Sequence, residues 1–182
     1  MDCFSCHHNE RLGSLPPREL VAADDHWRVA HAFDSALPGW LILAPRRHVT
    51  SIADLTDAEA ESLGTWQVRL SRALHAVTGC SKTYVVQFAE QEGFAHVHFH
   101  VVPRMPDAPA DRRGPRVFAY LGAAEEQRVA EQRRDDLALA LRAELDRAGQ
   151  ARLPVDVHQT PPALVSGAAP TPTAPGPRAL PR

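Results

Sequence analysis

The 182-residue sequence has no long apolar run and no strong excess of either charge. None of its runs approaches the roughly 18 apolar residues that a membrane-spanning helix needs, and its first residues lack the basic start and apolar core of a signal peptide. The formal net charge of -2 gives no reason to expect a nucleic acid or a membrane surface as a partner. We therefore expect a cytoplasmic protein that has neither kind of partner.

Cysteine is also scarce, and the three cysteines are unevenly distributed along the chain. Cys3 and Cys6 form a C-x-x-C motif at the N-terminus, whereas Cys80 stands alone. In a reducing compartment this usage favours metal binding or redox chemistry over disulfides. A thioredoxin-type motif follows a strand and opens a helix, and because no strand precedes this motif we prefer metal ligation. A structural zinc site needs four nitrogen or sulfur donors. The candidates for the remaining two ligands are His7, His8, His48 and one histidine of residues 96–100.

Strand-like and helix-like hydrophobic patterns follow one another in an order that predicts an α+β fold. The strand-like runs cover residues 18–25, 26–33, 39–45, 82–88 and 96–102, and we expect the first three to form an antiparallel meander. Between the third and fourth runs, apolar residues recur at spacings of three and four, which predicts one long helix. Thr56 and Glu59 have the spacing of its capping box, and Gly79 lies where it should end.

The C-terminal part of the chain contains a second helical pattern and a segment of biased composition. After a predicted loop at 103–116, Leu137, Leu141 and Leu145 share one stripe of a helix predicted over 125–149. From about residue 160 the chain is mostly Pro, Ala, Thr and Gly, which cannot bury enough surface to offset chain entropy. We therefore expect a domain with an N-terminal zinc knuckle, then a loop with a C-terminal helix, then a Pro/Ala-rich disordered tail. These parts correspond to residues 1–105, 106–150 and 151–182.

The stretch "FAHVHFHVVPR" places His96, His98 and His100 at every second position. On a β-strand all three imidazoles share one face, and the apolar residues between them share the other. A merely polar strand edge is an improbable use of three imidazoles. One ion bound by all three is awkward, because the outer two Cα atoms lie about 13 Å apart. A division of labour is easier, with one outer histidine on zinc, the middle one free to react and the other outer one on a substrate.

These motifs together resemble the histidine triad (HIT) superfamily. "HVHFHVVPR" is similar to its H-x-H-x-H-x-x signature, and "PGWLILAPRRHV" is similar to its P-G-H-x-L-x-x-P-x-x-H segment. The similarity covers about residues 1–105 in the right order. It implies an antiparallel sheet of about five strands with one long helix, here followed by a C-terminal helix. In the zinc-containing branch, and in the related galactose-1-phosphate uridylyltransferases, the matching positions hold one structural zinc per chain. Those positions are Cys3, Cys6, His48 and His96.

The resemblance also implies the chemistry. The middle histidine, here His98, attacks the α-phosphorus of a nucleotide and carries a nucleotidyl-imidazole intermediate that water or another acceptor resolves. His100 matches the donor to the phosphate oxygens, and the backbone carbonyl of His96 is expected to fix the tautomer of His98. The implied protein is a homodimeric hydrolase or nucleotidyltransferase that cleaves a phosphoanhydride, phosphoramidate or related bond. The residues expected to bind the nucleotide or nucleotide conjugate are His100, Asp34, Gln87 and Gln91.

Several positions depart from the family pattern. Glu92 and Gly93 stand where the family has a glutamine and a hydroxyl residue, and Trp40 stands where it generally has histidine. A carboxylate beside a phosphate is electrostatically unfavourable. Two alternatives therefore stay open: a zinc-stabilised nucleotide-binding protein with little turnover, and a metal-dependent lyase or oxygenase that uses the triad as an open metal site.

Overall fold

The sheet is antiparallel and has five strands in the order β1-β2-β3-β5-β4. The structure, a computed structural model, describes residues 3–150, so the tail predicted at 151–182 lies outside the described residues. The strands are β1 Ala22–Ala23, β2 Trp27–His31, β3 Leu41–Pro45, β4 Lys82–Gln87 and β5 Phe99–Arg104. The helices are α1 Phe4–Asn9, α2 Asp57–Thr78 and α3 Glu131–Gln150. This arrangement confirms the predicted α+β fold and the meander of the first three strands.

Helix α2 has the ends that its sequence predicts. The Thr56 hydroxyl accepts from the Glu59 backbone N–H, and the Glu59 carboxylate accepts from the Thr56 N–H, which completes the capping box. Gly79 ends the helix in the left-handed conformation at φ 70°, which costs glycine little because it has no Cβ. Both ends of the 22-residue helix are thereby defined by local hydrogen bonds and backbone conformation.

One face of the sheet is covered by α2 and α3. Val97, Phe99 and Val101, which alternate with the histidines, are buried in this core together with Leu70 and Leu141. The side-chain alternation around the triad therefore follows the predicted pattern. Burying side chains of this size stabilises the fold by roughly 1.5–3 kcal/mol each before chain entropy is counted.

The opposite face of the sheet is covered over only part of its area. A 3-10 segment, Gly114–Tyr120, packs Val117 against Trp40 and Val102 in a second, smaller core. The rest of this face is left open around His100, and that open area is the site described below.

The boundaries of three predicted elements need correction. The triad strand begins at Phe99 instead of residue 96, because the Val97 N–H donates to the Val49 carbonyl instead of joining the ladder. The run at 18–25 contributes only the two residues of β1, since Pro17 opens a 3-10 turn over Pro17–Glu19. The last helix begins at Glu131 instead of residue 125, because backbone groups before it form hydrogen bonds outside the helix. The Val129 N–H, for example, donates to the Ser35 carbonyl.

Among residues 3–150, no helix combines the length and the apolar character that crossing a membrane requires.

Candidate metal centre and adjoining cleft

Four predicted ligands lie together in the structure. Cys3 is the N-cap of α1 and Cys6 lies on that helix, while His48 follows β3 and His96 precedes β5. One donor atom from each of these residues lies within 4.8 Å of all the others. Three segments far apart in sequence therefore converge on one cluster. The short helix α1 was not predicted, because six residues carry too little periodicity to show one.

The donor distances suit a tetrahedral zinc ion. Bonds of about 2.3 Å to sulfur and about 2.0–2.1 Å to nitrogen, meeting at the tetrahedral angle, place sulfur and nitrogen about 3.6 Å apart. The His96 Nδ1 atom lies 3.5 Å from Cys3 Sγ and 3.6 Å from Cys6 Sγ. The His48 Nδ1 atom lies 3.3 Å from Cys6 Sγ. The cluster could therefore hold a metal ion.

Hydrogen bonding leaves the nitrogen of His96 that faces the cysteines, Nδ1, available to bind a metal ion. Its Nε2 atom lies 2.8 Å from the Pro45 carbonyl oxygen, which can only accept, so Nε2 carries the proton. Nδ1 is then an unprotonated lone pair directed at the cysteines. A backbone carbonyl on the second nitrogen is the usual support of a metal-binding histidine. The other two candidates from the sequence, His7 and His8, are not in the cluster. The His8 Nδ1 atom instead bonds the Phe4 carbonyl oxygen at 2.9 Å.

Burial shifts two members of the cluster toward their neutral forms when no cation is bound. Burial, followed by the neighbouring Cys3 and Glu10, raises the pKa of the Cys6 thiol to about 11. Burial also lowers the pKa of His96, which favours the neutral imidazole. Neutral imidazole is the ligand form, whereas the thiols must lose protons to bind. Metal binding at this cluster is therefore expected to release protons.

The other two histidines of the triad face a cleft of about 460 Å³. The His98 and His100 rings lie 4.9 Å apart, and each has one nitrogen engaged. His98 Nδ1 lies 2.8 Å from the His96 carbonyl oxygen, and His100 Nδ1 accepts from Trp40 Nε1 at 3.0 Å. Within residues 3–150, the donor cluster that can hold a metal includes neither His98 nor His100.

Aromatic side chains form the walls of the cleft. Phe4 from α1 contacts Phe33 and Phe94 with ring centroids 5.3 Å away in each case, and Phe88 contacts Phe118 at 5.4 Å. All five of these rings line the cleft, although the whole sequence has only six phenylalanines. Sequence reasoning missed this wall. The concentration of a scarce residue type in the connections around the triad was the one available signal.

Three of the four predicted substrate residues reach the cleft and one does not. Asp34 and Gln91 line it together with His100. Gln87 lies on β4 opposite Phe99, which places it on the helix-covered face of the sheet, away from the cleft. The structure therefore does not bring Gln87 to the other predicted site residues.

The charge of the cleft lining is predominantly acidic. Glu19, Asp34 and Glu90 line it against one cation, Arg28. The Arg28 guanidinium is buried and donates to two neutral acceptors, the Asn9 side-chain oxygen and the Glu19 carbonyl oxygen, each at 2.8 Å. Burial lowers the pKa of Arg28, which Glu19 partly offsets. Sequence reasoning missed Arg28, because an arginine in a strand carries no local signal of burial.

The family model described as the HIT domain matches residues 16–107, about half of the chain. The chain belongs to the HIT domain family.

Solved HIT-like structures show the same fold. A zinc-bound histidine triad family protein from Mycobacterium smegmatis has 19% identity and a TM-score of 0.60, covering 82% of this chain and 96% of that chain. A hypothetical histidine triad nucleotide-binding protein from Sulfolobus tokodaii has 13% identity and a TM-score of 0.61, covering 80% and 93%. A histidine triad protein from Bradyrhizobium japonicum has 24% identity and a TM-score of 0.57, covering 74% and 94%. A search of curated protein sequences gave no significant match.

The HIT domain match begins after the two cysteines, so the C-x-x-C motif is a feature of this chain outside the matched region. The triad and His48 lie inside it. The metal cluster therefore joins a segment before the HIT domain to two positions within it. The resemblance to galactose-1-phosphate uridylyltransferases stays a prediction.

Proposed function

We propose that this HIT protein is a nucleotidyl hydrolase or transferase in which His98 is the nucleophile. The observation that carries the proposal is the 2.8 Å bond from His98 Nδ1 to the His96 carbonyl oxygen. A carbonyl oxygen only accepts, so Nδ1 is the protonated nitrogen and Nε2 has a free lone pair. An imidazole held in this tautomer beside an open cleft is ready to attack phosphorus without first losing a proton.

The reaction then proceeds in two displacements. The His98 Nε2 lone pair forms a bond to the α-phosphorus, the bond from phosphorus to the leaving group breaks, and the leaving group departs with that electron pair. Water or another acceptor next attacks the same phosphorus, the phosphorus–nitrogen bond breaks, and the acceptor's proton is released. His98 returns to its starting state. His100, 4.9 Å away ring to ring, is positioned to donate to the phosphate oxygens as charge develops.

A metal ion at the cluster would help to hold His98 in this orientation. Cys3, Cys6, His48 and His96 would hold one zinc ion, whose chemistry with four protein donors is structural. A bound ion restrains His96, and His96 supplies the carbonyl that orients His98. Cys3 and Cys6 also flank Phe4, so the same cluster anchors one wall of the cleft.

The cleft lining favours a nucleotide that carries few negative charges. The phenylalanine walls suit stacking on a nucleobase, and the similar Sulfolobus tokodaii protein is described as nucleotide-binding. Three acidic residues against one arginine disfavour a polyphosphate chain by simple repulsion. We therefore favour a nucleoside monophosphate joined to a neutral or cationic leaving group. The exposed Glu92 does not line the cleft, so the departure from the family pattern there does not place a carboxylate on the phosphate.

The proposal is tested by trapping the intermediate. Wild-type protein mixed briefly with a reactive nucleoside phosphoramidate should give an acid-labile nucleotidyl adduct on the peptide that contains His98, detected by mass spectrometry. His98→Asn should abolish the adduct and turnover but retain metal and nucleotide binding. His26→Asn, which removes a histidine outside the cleft, should behave as wild type.

Two outcomes would contradict the proposal. Nucleotide binding with neither adduct nor turnover would favour a binding protein with little catalysis. If His98→Asn lost the metal while His48→Ala kept it, the triad would be the metal site and the mechanism would be wrong. The expected homodimer and the expected cytoplasmic location stay predictions.

A further inference from the structure

A buried tryptophan is hydrogen-bonded to the last histidine of the triad. Trp40 directly precedes β3 and is 0% exposed, and its Nε1 atom lies 3.0 Å from His100 Nδ1. The contact joins residues 60 positions apart in sequence. It forms because Ile42 pairs with His100 in the ladder between β3 and β5, which brings the start of β3 beside that ring.

The indole fixes the protonation pattern of the imidazole. An indole N–H can only donate, so His100 Nδ1 must accept and cannot carry a proton while this bond exists. In a neutral imidazole the proton then lies on Nε2. A doubly protonated ring would place two N–H groups against each other at 3.0 Å and lose the bond. Nε2 has no hydrogen-bond partner among the described residues, and His100 lines the cleft.

Ring contacts hold His100 in this orientation. The His100 ring meets Trp40 edge to face at 5.7 Å and 85°, and it meets Phe118 at 5.3 Å and 79°. The Phe118 ring also contacts Trp40 at 5.4 Å, so each of the three rings packs against the other two. Turning the imidazole over would replace the accepting nitrogen with a C–H group facing the indole N–H. Such a turn would leave a buried donor without a partner, at a cost of about 1–3 kcal/mol.

We propose that Trp40 is a positioning residue that holds His100 as the Nε2–H tautomer, so that His100 presents one neutral N–H donor to the phosphate that His98 attacks. This inference rests on the proposed function. The two neighbouring histidines thereby take opposite tautomers for opposite tasks. A carbonyl oxygen leaves His98 with a free lone pair, and an indole N–H leaves His100 with a free donor.

Burial is consistent with a neutral His100. It lowers the pKa of this imidazole to about 4, and any positive charge on the neighbouring His98 acts in the same direction. A neutral N–H donor can bond the phosphate oxygens as charge develops, and the ring need not first take up a proton from solvent.

The test compares two tryptophan variants. Trp40→Phe removes the donor, whereas the control Trp27→Phe removes an equally buried indole that donates to Ser62 on the helix-covered side. Nitrogen-15 NMR of labelled histidine should show His100 with an unprotonated Nδ1 and a protonated Nε2 in wild type and in Trp27→Phe. In Trp40→Phe the two resonances should shift toward a mixture of tautomers. The rate of adduct formation on His98 should fall by about 10- to 100-fold in Trp40→Phe alone, with nucleotide affinity nearly unchanged.

A second variant separates the hydrogen bond from packing. Site-specific replacement of Trp40 by 3-benzothienylalanine keeps the ring shape and exchanges only the N–H for sulfur. It should reproduce both the NMR change and the slower adduct formation. An unchanged His100 tautomer in either variant, or an unchanged rate, would overturn the inference. If wild-type protein formed no adduct, the proposed function would fail instead, and the NMR comparison would still decide whether Trp40 sets the tautomer.

Discussion

Acid stability offers a quantitative test of how the β2–β3 connection is built. His31 at the end of β2 is 2% exposed and has both ring nitrogens engaged. Its Nδ1 atom donates to the Ala32 carbonyl oxygen at 2.8 Å, and its Nε2 atom accepts from the Gly39 N–H at 2.9 Å. The bond from Gly39 requires the neutral ring, because a protonated Nε2 atom cannot accept. Because Gly39 directly precedes Trp40, this histidine also supports the turn that presents the indole to His100.

Protonation of His31 is expected to destabilise the fold. Burial lowers its pKa from the ordinary 6.5 to about 4, the Ala32 carbonyl opposes that shift, and Arg134 adds to it. Between pH 6.5 and pH 4 the unfolded chain therefore binds a proton that the native ring does not bind. The free energy of unfolding should fall as the pH falls through this window. At about 1.4 kcal/mol per pH unit the total loss is about 3 kcal/mol.

The assay is urea unfolding of wild type and His31→Gln at about pH 7 and about pH 4.5. At the higher pH the variant should be less stable by about 1 kcal/mol, because glutamine keeps the acceptor for Gly39 but loses the bond to Ala32. At the lower pH the variant should be the more stable protein, since its loss on acidification is about 2 kcal/mol smaller. Other acid-sensitive groups, including the metal cluster, titrate in both proteins and cancel in the comparison.

A control and a contrary result complete this test. His75→Gln, at an exposed position on α2, measures the general effect of removing one histidine. If His31→Gln and wild type lost the same stability on acidification, His31 would not be held neutral by burial. The account of the β2–β3 connection would then be incorrect.

Two further predictions concern the metal cluster and the long helix. Cys6→Ser should lower the metal content and the melting temperature together, because metal binding and folding are coupled. Cys80→Ser, which removes the buried cysteine outside the cluster, should keep the metal, and full metal occupancy in Cys6→Ser would exclude the proposed ligand set. Thr56→Ala should lower the free energy of unfolding by about 1 kcal/mol through loss of the N-cap, measured by urea denaturation. An unchanged value for Thr56→Ala would show that Glu59 maintains the helix start without it.

Much of the fold could be predicted from the sequence because the relevant signals are local. The period of α2, its capping box and Gly79 are all read within one segment, and the structure has each of them. The alternation around the triad likewise predicts that Val97, Phe99 and Val101 are buried while histidines lie on the other face. These patterns are properties of backbone geometry, which repeats every 3.6 residues in a helix and every two in a strand.

The complete set of four metal ligands was predicted from the family resemblance and not from residue spacing. Spacing identified Cys3 and Cys6 as a pair of ligands but left several histidines as candidates for the other two. The structure brings His48 and His96 to that pair and leaves His8 bonded to its own helix. Selection among candidates depends on how segments 42 to 93 residues apart fold together, and no local pattern contains that information.

Only the tertiary structure decided which tasks the histidines of the triad can perform. In the sequence they are three equivalent imidazoles at equal spacing. The folded chain directs one nitrogen of His96 at two sulfurs, ties His98 to a carbonyl oxygen and ties His100 to the Trp40 indole. These partners set the tautomers: His96 and His100 carry the proton on Nε2, whereas His98 carries it on Nδ1, because the tautomer of an imidazole follows the donor or acceptor that its nitrogens meet. The sequence by itself determined that three imidazoles and a C-x-x-C pair are present on an α+β scaffold. The chemistry of each imidazole came from a partner that the register of the sheet and the packing of the connections placed beside it.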